Sequence, residues 1–415
     1  ARARRELETL LAAQWGDGRI PHIVFAPQVP RTAYFPSPDF WRSPTAGAAA
    51  GAPARVETSG RIQPPVHALA AWLVHQADPA GSVREGFLER LYPRLDAWQR
   101  YLTTRRDLGG AGLAAIVHPW ESGMDNSPCW DGPLARITPA APDTFRRADL
   151  DHGAPEDRPT DLDYGRYVAL AAGYRDRGYA DRDPRARAGA RARDGDATRP
   201  HPFAVEDPGL NSLLISAEHA LAEIAAELAG EAPVDPGGHR ARAERQTRAL
   251  VRRLWSARTG MFHSRDLHTG RLLAPRSAAG LLPLLLPALP AQQTAGLLRT
   301  LTGEHFGLGA RTRLVPSYDL RGPAFHRSRY WRGPAWFNVN WLLERGLRLH
   351  GKHGYADALR LELLRAAGRS GFAEYLDPYH QQAHGARAFS WTAALAVDLL
   401  CTAEAAAADR EGTRR

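Results

Sequence analysis

The chain has 415 residues, enough for two or three average domains or one large ring or barrel, and its 44% hydrophobic and 24% charged residues are ordinary for a globular protein with a sizeable core. Two cysteines, Cys129 and Cys401, exclude a disulfide framework and a cysteine-rich metal cluster and fit a reducing cytoplasm. No apolar run is long enough to span a membrane, and the basic N-terminus has no apolar segment behind it, so neither a membrane anchor nor a secretory leader is expected. The formal net charge of +9 is carried almost wholly by Arg, with Lys352 the only lysine. Those Arg residues are scattered, which argues against a nucleic-acid footprint. One cluster, from Asp183 to Arg193, is set in Gly, Ala and Pro and reads as a surface loop.

In chain order, residues 2–14 predict an amphipathic helix with Leu7, Leu10 and Leu11 on one face. Ile20 to Phe25 is short and extended, Tyr34 to Trp41 is an aromatic loop stiffened by Pro, and Ala46 to Ala54 is low-complexity Ala and Gly. Thr58 to Pro65 looks like the entrance to a helix that runs to about His75. A second helix is predicted from Val83 to Arg105, with Leu88, Leu91, Leu95 and Trp98 inward. Residues 132–160 are rich in Pro and Asp and read as loop. Helices follow over 161–172, 207–228 and 238–255, then a hairpin from Met261 to Leu273. Helices over 276–287, 291–303, 334–350, 354–369 and 388–407 complete the chain.

This is an all-α pattern of about eleven helices with hardly any strand and no repeat of 20 to 50 residues, so a helical solenoid is excluded. Loops rich in Trp, His, Asp and Pro recur at alternate helix connections. An α/α toroid would gather them at one end. The expectation is one domain over 1–415, with a loop-rich cap over about 118–205.

Three motifs carry the chemistry. His118-Pro-Trp120-Glu121-Ser-Gly-Met-Asp125-Asn-Ser-Pro-Cys129-Trp-Asp131 interleaves acids with aromatic rings. Tyr330-Trp331-Arg332-Gly333-Pro-Ala-Trp336 places two Trp five apart, too far round a helix to share one core stripe, so one or both are expected to stack on a ligand. Gly371-Phe-Ala-Glu374-Tyr-Leu-Asp-Pro sets one Glu among apolar neighbours, and Phe389-Ser-Trp391-Thr opens the last helix. Two carboxylates, near Asp125 and at Glu374, inside an aromatic box are the apparatus of glycoside hydrolysis. Burial against Trp would keep the acid protonated near neutral pH. His118, His152 and His201 are too dispersed for a metal site, and no cofactor is expected.

These motifs resemble glycoside hydrolase family 63, and within it the bacterial mannosylglycerate and glucosylglycerate hydrolases; the resemblance runs from about Trp15 to Ala394. It implies an (α/α)6 barrel and hydrolysis with inversion, with Asp125 as general acid and Glu374 as general base. Glu121 and Asp131 become pocket-shaping acids. Trp120, Trp331 and Trp336 line the sugar subsite, with Gly333 and Trp391 beside them. His22, Tyr34, Gln63, Arg158, Tyr164 and Tyr330 correspond to the groups around the acid's partner. Arg158, with the Tyr164 phenol, is a bidentate clamp for a small carboxylate, and Arg166 is its nearest rival. The expected partner is a small carbohydrate, with self-association into a homo-oligomer and with neither nucleic acid nor membrane. Two departures stand out. The family's opening segment with its Trp-Asp-Ser-type motif precedes the start of this chain, so a ring lacking its first helix is expected. The Gly-rich turn usual after the base is replaced by His380-Gln-Gln-Ala-His-Gly385. The alternatives are an α-glucosidase or trehalase-like enzyme for neutral oligosaccharides, and a non-catalytic carbohydrate-binding relative.

Overall fold

The computed structural model describes residues 1–151, 155–181, 201–230 and 233–412, with side chains through residue 402. The Arg-rich cluster from Asp183 to Arg193 lies outside the described residues. The long helices are α1 (Arg2–Ala12), α2 (His67–Ala77), α3 (Phe87–Thr104), α4 (Asp161–Asp176), α5 (Pro208–Glu227), α6 (Pro236–Leu254), α7 (Ala291–Thr302), α8 (Phe337–Leu349), α9 (His353–Ser370) and α10 (Ser390–Gly412). α4 and α5 start within one residue of the expected 161 and 207, whereas α6 starts two residues before the expected 238. Thr160, Asp207 and Asp235 each accept a backbone N–H from the first turn, and Pro follows the two Asp caps directly.

An inner layer runs α2, α5, a 3-10 helix (Ala278–Leu285), α8 and α10, each packed on the next; α6 lies outside α5, and α9 outside α8. Inner helices bury more than one face. On α5 even Asn211, Ser212 and Glu218 are buried. Close approach is obtained with Gly346 on α8, where an added Cβ would meet the Leu284 carbonyl at 2.9 Å.

Among the described residues, nine two-residue strands stitch the loop end together. β1 (Ala115–Ile116), β2 (Val205–Glu206), β5 (Arg265–Asp266) and β6 (Arg271–Leu272) form an antiparallel sheet in that order. β3 (Trp255–Ser256) pairs with β4 (Met261–Phe262). β7 (Ala335–Trp336), β8 (Tyr375–Leu376) and β9 (Ala383–His384) form a third sheet, with Trp336 opposite Tyr375 and Tyr375 opposite His384. Two buried amides tie this layer to the inner helices in the same way. Asn211 bonds both the N–H and the carbonyl of Ala114 and the carbonyl of Asp207. Asn340 does the same for Val315 and Trp336.

The structure departs from the sequence reading at several elements. The helix expected from Val83 to Arg105 breaks at Gly86, whose φ of 57° is left-handed, so Pro79–Arg84 and α3 are separate. The stretch 276–287 is a 3-10 helix rather than an α-helix, with Pro283 inside it. Ile20 to Phe25 contributes only an isolated bridge, Val24 to Thr58. Met261 to Leu273 is divided between two hairpins, β3–β4 and β5–β6. Among the described residues no helix is long and apolar enough to cross a membrane.

Candidate active site

The first motif follows β1 directly and is locked from several directions. Trp120 N–H donates to His118 Nδ1 at 3.0 Å, so Nδ1 is the acceptor and Nε2–H donates to the Tyr167 carbonyl at 3.0 Å. Burial and the nearby Arg61 charge hold His118 well below its ordinary pKa, so this neutral tautomer is fixed. The Tyr167 hydroxyl donates to the Asp125 carbonyl at 3.1 Å, and Trp130 Nε1 to the Met124 carbonyl at 2.8 Å. Asn126 Oδ1 accepts Trp331 N–H at 3.0 Å, joining the first motif to the second.

Glu121 and Asp125, both in this motif, have opposite fates. Glu121 is fully buried and accepts both Arg106 guanidinium nitrogens, at 2.7 and 2.8 Å, and Val117 N–H at 2.8 Å. Arg61 lies 3.8 Å from it. Although burial alone would raise its pKa, Arg106 and Arg61 hold it below the ordinary Glu value. Asp125 instead lines a cavity of about 200 Å³. Burial pushes its carboxyl up to about 7; Arg158 opposes the rise and the charge of Glu374 adds to it.

Around Asp125 the cavity brings together His22, Tyr34, Trp120, Arg158, Tyr164 and Tyr330. These come from the N-terminal loop, the first motif, the segment before α4, α4 itself and the second motif. Burial and Arg61 lower His22 to about 4, so it meets a ligand as neutral imidazole. The Arg158 guanidinium stands 4.9 Å from the Tyr330 ring centre. Burial and the charges of Asp125 and Glu374 push the Tyr330 hydroxyl well above its ordinary pKa, so this phenol is within reach of both carboxylates' fields. Glu374 immediately precedes β8 and is buried. Its N–H donates to the Ala386 carbonyl at 2.9 Å and its Oε2 accepts Ala386 N–H at 3.0 Å. Gly385 makes that possible: its φ is 66°, and a Cβ there would meet Glu374 Oε2 at 2.4 Å.

Other expected residues lie elsewhere. Glu121 is a buried ion-pair partner and not part of the cavity wall. Trp331 and Trp336 do not face the cavity either. Their rings stack on each other at 3.8 Å, 5° from parallel, and Trp336 stacks on Tyr375 at 4.8 Å. Both are buried. Gly333 is buried with an added Cβ 2.2 Å from the His326 carbonyl, which is a packing constraint. Trp391 packs edge-on against Trp336 and Phe389. Gln63 is half-buried outside the cavity wall. Asp131 pairs with Arg332, and Arg166 with Asp163. Residues the sequence did not single out do face the cavity: Trp41, Phe35 and Asp149, the last held by Arg147 at 2.7 Å.

Residues 1–392 match the family described as the mannosylglycerate hydrolase MGH1-like glycoside hydrolase domain. The chain belongs to that family. This glycoside hydrolase is 39% identical over 403 residues to the mannosylglycerate hydrolase of Rubrobacter radiotolerans, covering 96% of this chain and 86% of the relative. It is 36% identical over 408 residues to the glucosylglycerate hydrolase of Mycolicibacterium hassiacum, covering 96% and 87%. The crystal structure of the GH63 mannosylglycerate hydrolase from Thermus thermophilus in complex with Tris and D-glycerate superposes with a TM-score of 0.80 at 37% identity, over 97% of this chain and 88% of that one. The neutral trehalase of Saccharomyces cerevisiae, at 17% identity and a TM-score of 0.52, shares the fold over 83% of this chain and 64% of its own. The helical ring of this glycoside hydrolase is thus the (α/α)6-barrel architecture of family 63.

Proposed function

We propose that this hydrolase cleaves a small α-glycoside of glycerate, glucosylglycerate or mannosylglycerate, with inversion at the anomeric carbon. Asp125 protonates the glycosidic oxygen. Glu374 takes a proton from the water that attacks the anomeric carbon from the opposite face, giving the β-sugar and free glycerate. Arg158, with Tyr164 and Tyr330, receives the glycerate carboxylate.

The observation that carries this reading is the pairing inside one small cavity of an acid raised to about 7 with an arginine suited to an anion. At about 200 Å³ the cavity is below the roughly 300–1,000 Å³ of typical ligand sites, which favours one sugar with a short acid over an oligosaccharide. The names of the relatives support the same class. A reducing compartment such as the cytoplasm is supported by the two unpaired cysteines, buried Cys129 and exposed Cys401.

The test is an NMR time course with α-linked glucosylglycerate, mannosylglycerate and trehalose in parallel. β-Sugar appearing first from either glycerate glycoside is the expected result. α-Sugar appearing first would overturn inversion and recast Glu374 as a nucleophile. Cleavage of trehalose without either glycerate glycoside would overturn the substrate class.

A further inference from the structure

Residues 155–160 reach the cavity from the cap, just ahead of α4. Asp157 is only 2% exposed although it belongs to a single 3-10 turn, Pro155–Asp157. Its Oδ1 accepts the Ser328 hydroxyl at 2.8 Å. The Tyr375 hydroxyl is a second hydrogen-bonding neighbour, and His384 Nδ1 lies 3.9 Å from the other carboxylate oxygen. Asp157 itself is absent from the cavity wall.

Its partners come from two other segments, both at the reacting end. Ser328 sits two residues before Tyr330. Tyr375 and His384 face each other across β8–β9, directly after Glu374. On the far side of Arg158, the Pro159 carbonyl accepts from Arg147 at 2.9 Å. A buried carboxylate is costly unless its oxygens are satisfied, and here they are satisfied by the segments that hold Tyr330 and Glu374. The neighbouring α-carbon, about 3.8 Å away across one peptide bond, carries the guanidinium over the Tyr330 ring. An Arg side chain is long, and bidentate capture of a carboxylate tolerates little angular error.

We propose that Asp157 is the positioning and specificity-determining residue for carboxylate recognition: by tying the Arg158 segment to both the Tyr330 turn and the Glu374 hairpin, it fixes the anion clamp relative to the two carboxylates. Capture of the ligand's acid group and alignment of the hairpin after Glu374 are then one event. The inference takes its ligand class from the proposed function.

The experiment measures binding of D-glycerate and of glucose separately, by calorimetry, to wild type, Asp157→Ala, Arg158→Ala and the double variant. Asp157→Ala weakens D-glycerate about tenfold more than glucose, within the range of coupling between neighbouring residues. The double variant binds D-glycerate no worse than Arg158→Ala alone. Equal weakening of both ligands, or strictly additive losses, overturns the proposal and makes Asp157 merely structural. A kinetic arm gives the same readout, since kcat/KM on glucosylglycerate relative to glucosylglycerol falls about tenfold in Asp157→Ala. If that variant does not fold, Ser328→Ala and Tyr375→Phe each lower the glycerate-over-glucose preference, and no change in either overturns the proposal. Wild type that binds D-glycerate but releases no sugar refutes the hydrolytic reading while the binding arm still decides Asp157. Wild type that does not bind D-glycerate overturns the clamp and this inference together.

Discussion

Replacing Arg106 by Met removes from the interior two charge-assisted hydrogen bonds to Glu121, the hydrogen bond from its Nε to the Tyr101 hydroxyl and an ion pair with Asp181. Its Nη1 and Nη2 lie 2.7 and 2.8 Å from the Glu121 oxygens, and its Nε lies 2.9 Å from Asp181 Oδ1. Glu121 is left with Val117 N–H and with Arg61 at 3.8 Å, while Asp181 keeps Arg19 and the hydroxyls of Tyr101 and Tyr174. Breaking a fully buried pair by deleting one partner costs about 3–5 kcal/mol, because the other charge stays buried. With about 2.1 cal/mol/K of unfolding entropy per residue, a 415-residue chain has about 0.9 kcal/mol/K, so the melting temperature should fall by about 3–6 °C. The assay is thermal unfolding followed by circular dichroism at pH 7 and at pH 4. In wild type the Glu121 pKa is depressed. Its contribution is therefore present above the unfolded value of about 4.3 and is lost as pH falls through the folded value. In the variant Glu121 loses the larger of its two cationic partners and is held down less, so protonation relieves the strain and the gap to wild type narrows on acidification. A melting temperature within about 1 °C of wild type at pH 7, or a gap independent of pH, would refute the reasoning.

Three more outcomes follow from the site. Because the Asp125 pKa is raised to about 7, the acid holds its proton below that value, and kcat/KM should decline as pH rises through it; Asp125→Asn should cost about 10²–10⁴-fold below that value and remove the decline, so the gap to wild type narrows as pH rises. Gly385→Ala drives a methyl against Glu374 Oε2 and strains a left-handed backbone, so kcat should drop at least about tenfold while far-UV circular dichroism is retained. Trp336→Ala opens a cavity between Trp331 and Tyr375 and should cost about 3–5 kcal/mol in denaturant titrations; a loss confined to sugar affinity would return Trp336 to the ligand.

The long helices were legible because their signals are local, as with the leucines at helical spacing along α3, although the Asp235-Pro236 cap was passed over and α6 starts two residues before the expected 238. The 3-10 segment around Pro283 and the break at Gly86 were not, since an apolar Leu run and a continuing amphipathic pattern outweighed single residues. Asp125 stood out through its motif. Glu121, four residues earlier in the same motif, was separated from it only by the family resemblance, and then as a pocket-shaping acid, because its burial as an ion-pair partner depends on Arg61 and Arg106 from other segments. The spacing of Trp331 and Trp336 rightly excluded a shared helical stripe. What replaced it, one ring lying on the other, depends on the backbone path between them, which periodicity does not encode. Asp149 and Asp157 lie in a Pro- and Asp-rich stretch where nothing distinguishes a cavity carboxylate from a solvated one.

Asn211 and Asn340 each sit one turn into an inner helix and grip the residue of a remote strand-like segment by both its N–H and its carbonyl. The ring therefore contains two copies of one joint, although no repeat shows in the sequence. Between Ala114, gripped by Asn211, and the start of α5 the chain makes an excursion that leaves and returns at that joint. A lineage could lengthen, shorten or recolour the excursion while the joint keeps the scaffold closed, and the excursion is where Asp125, Arg158 and Tyr164 reside. Changes in leaving-group preference can then accumulate through edits in that stretch while the frame that carries Tyr330 and Glu374 stays unchanged.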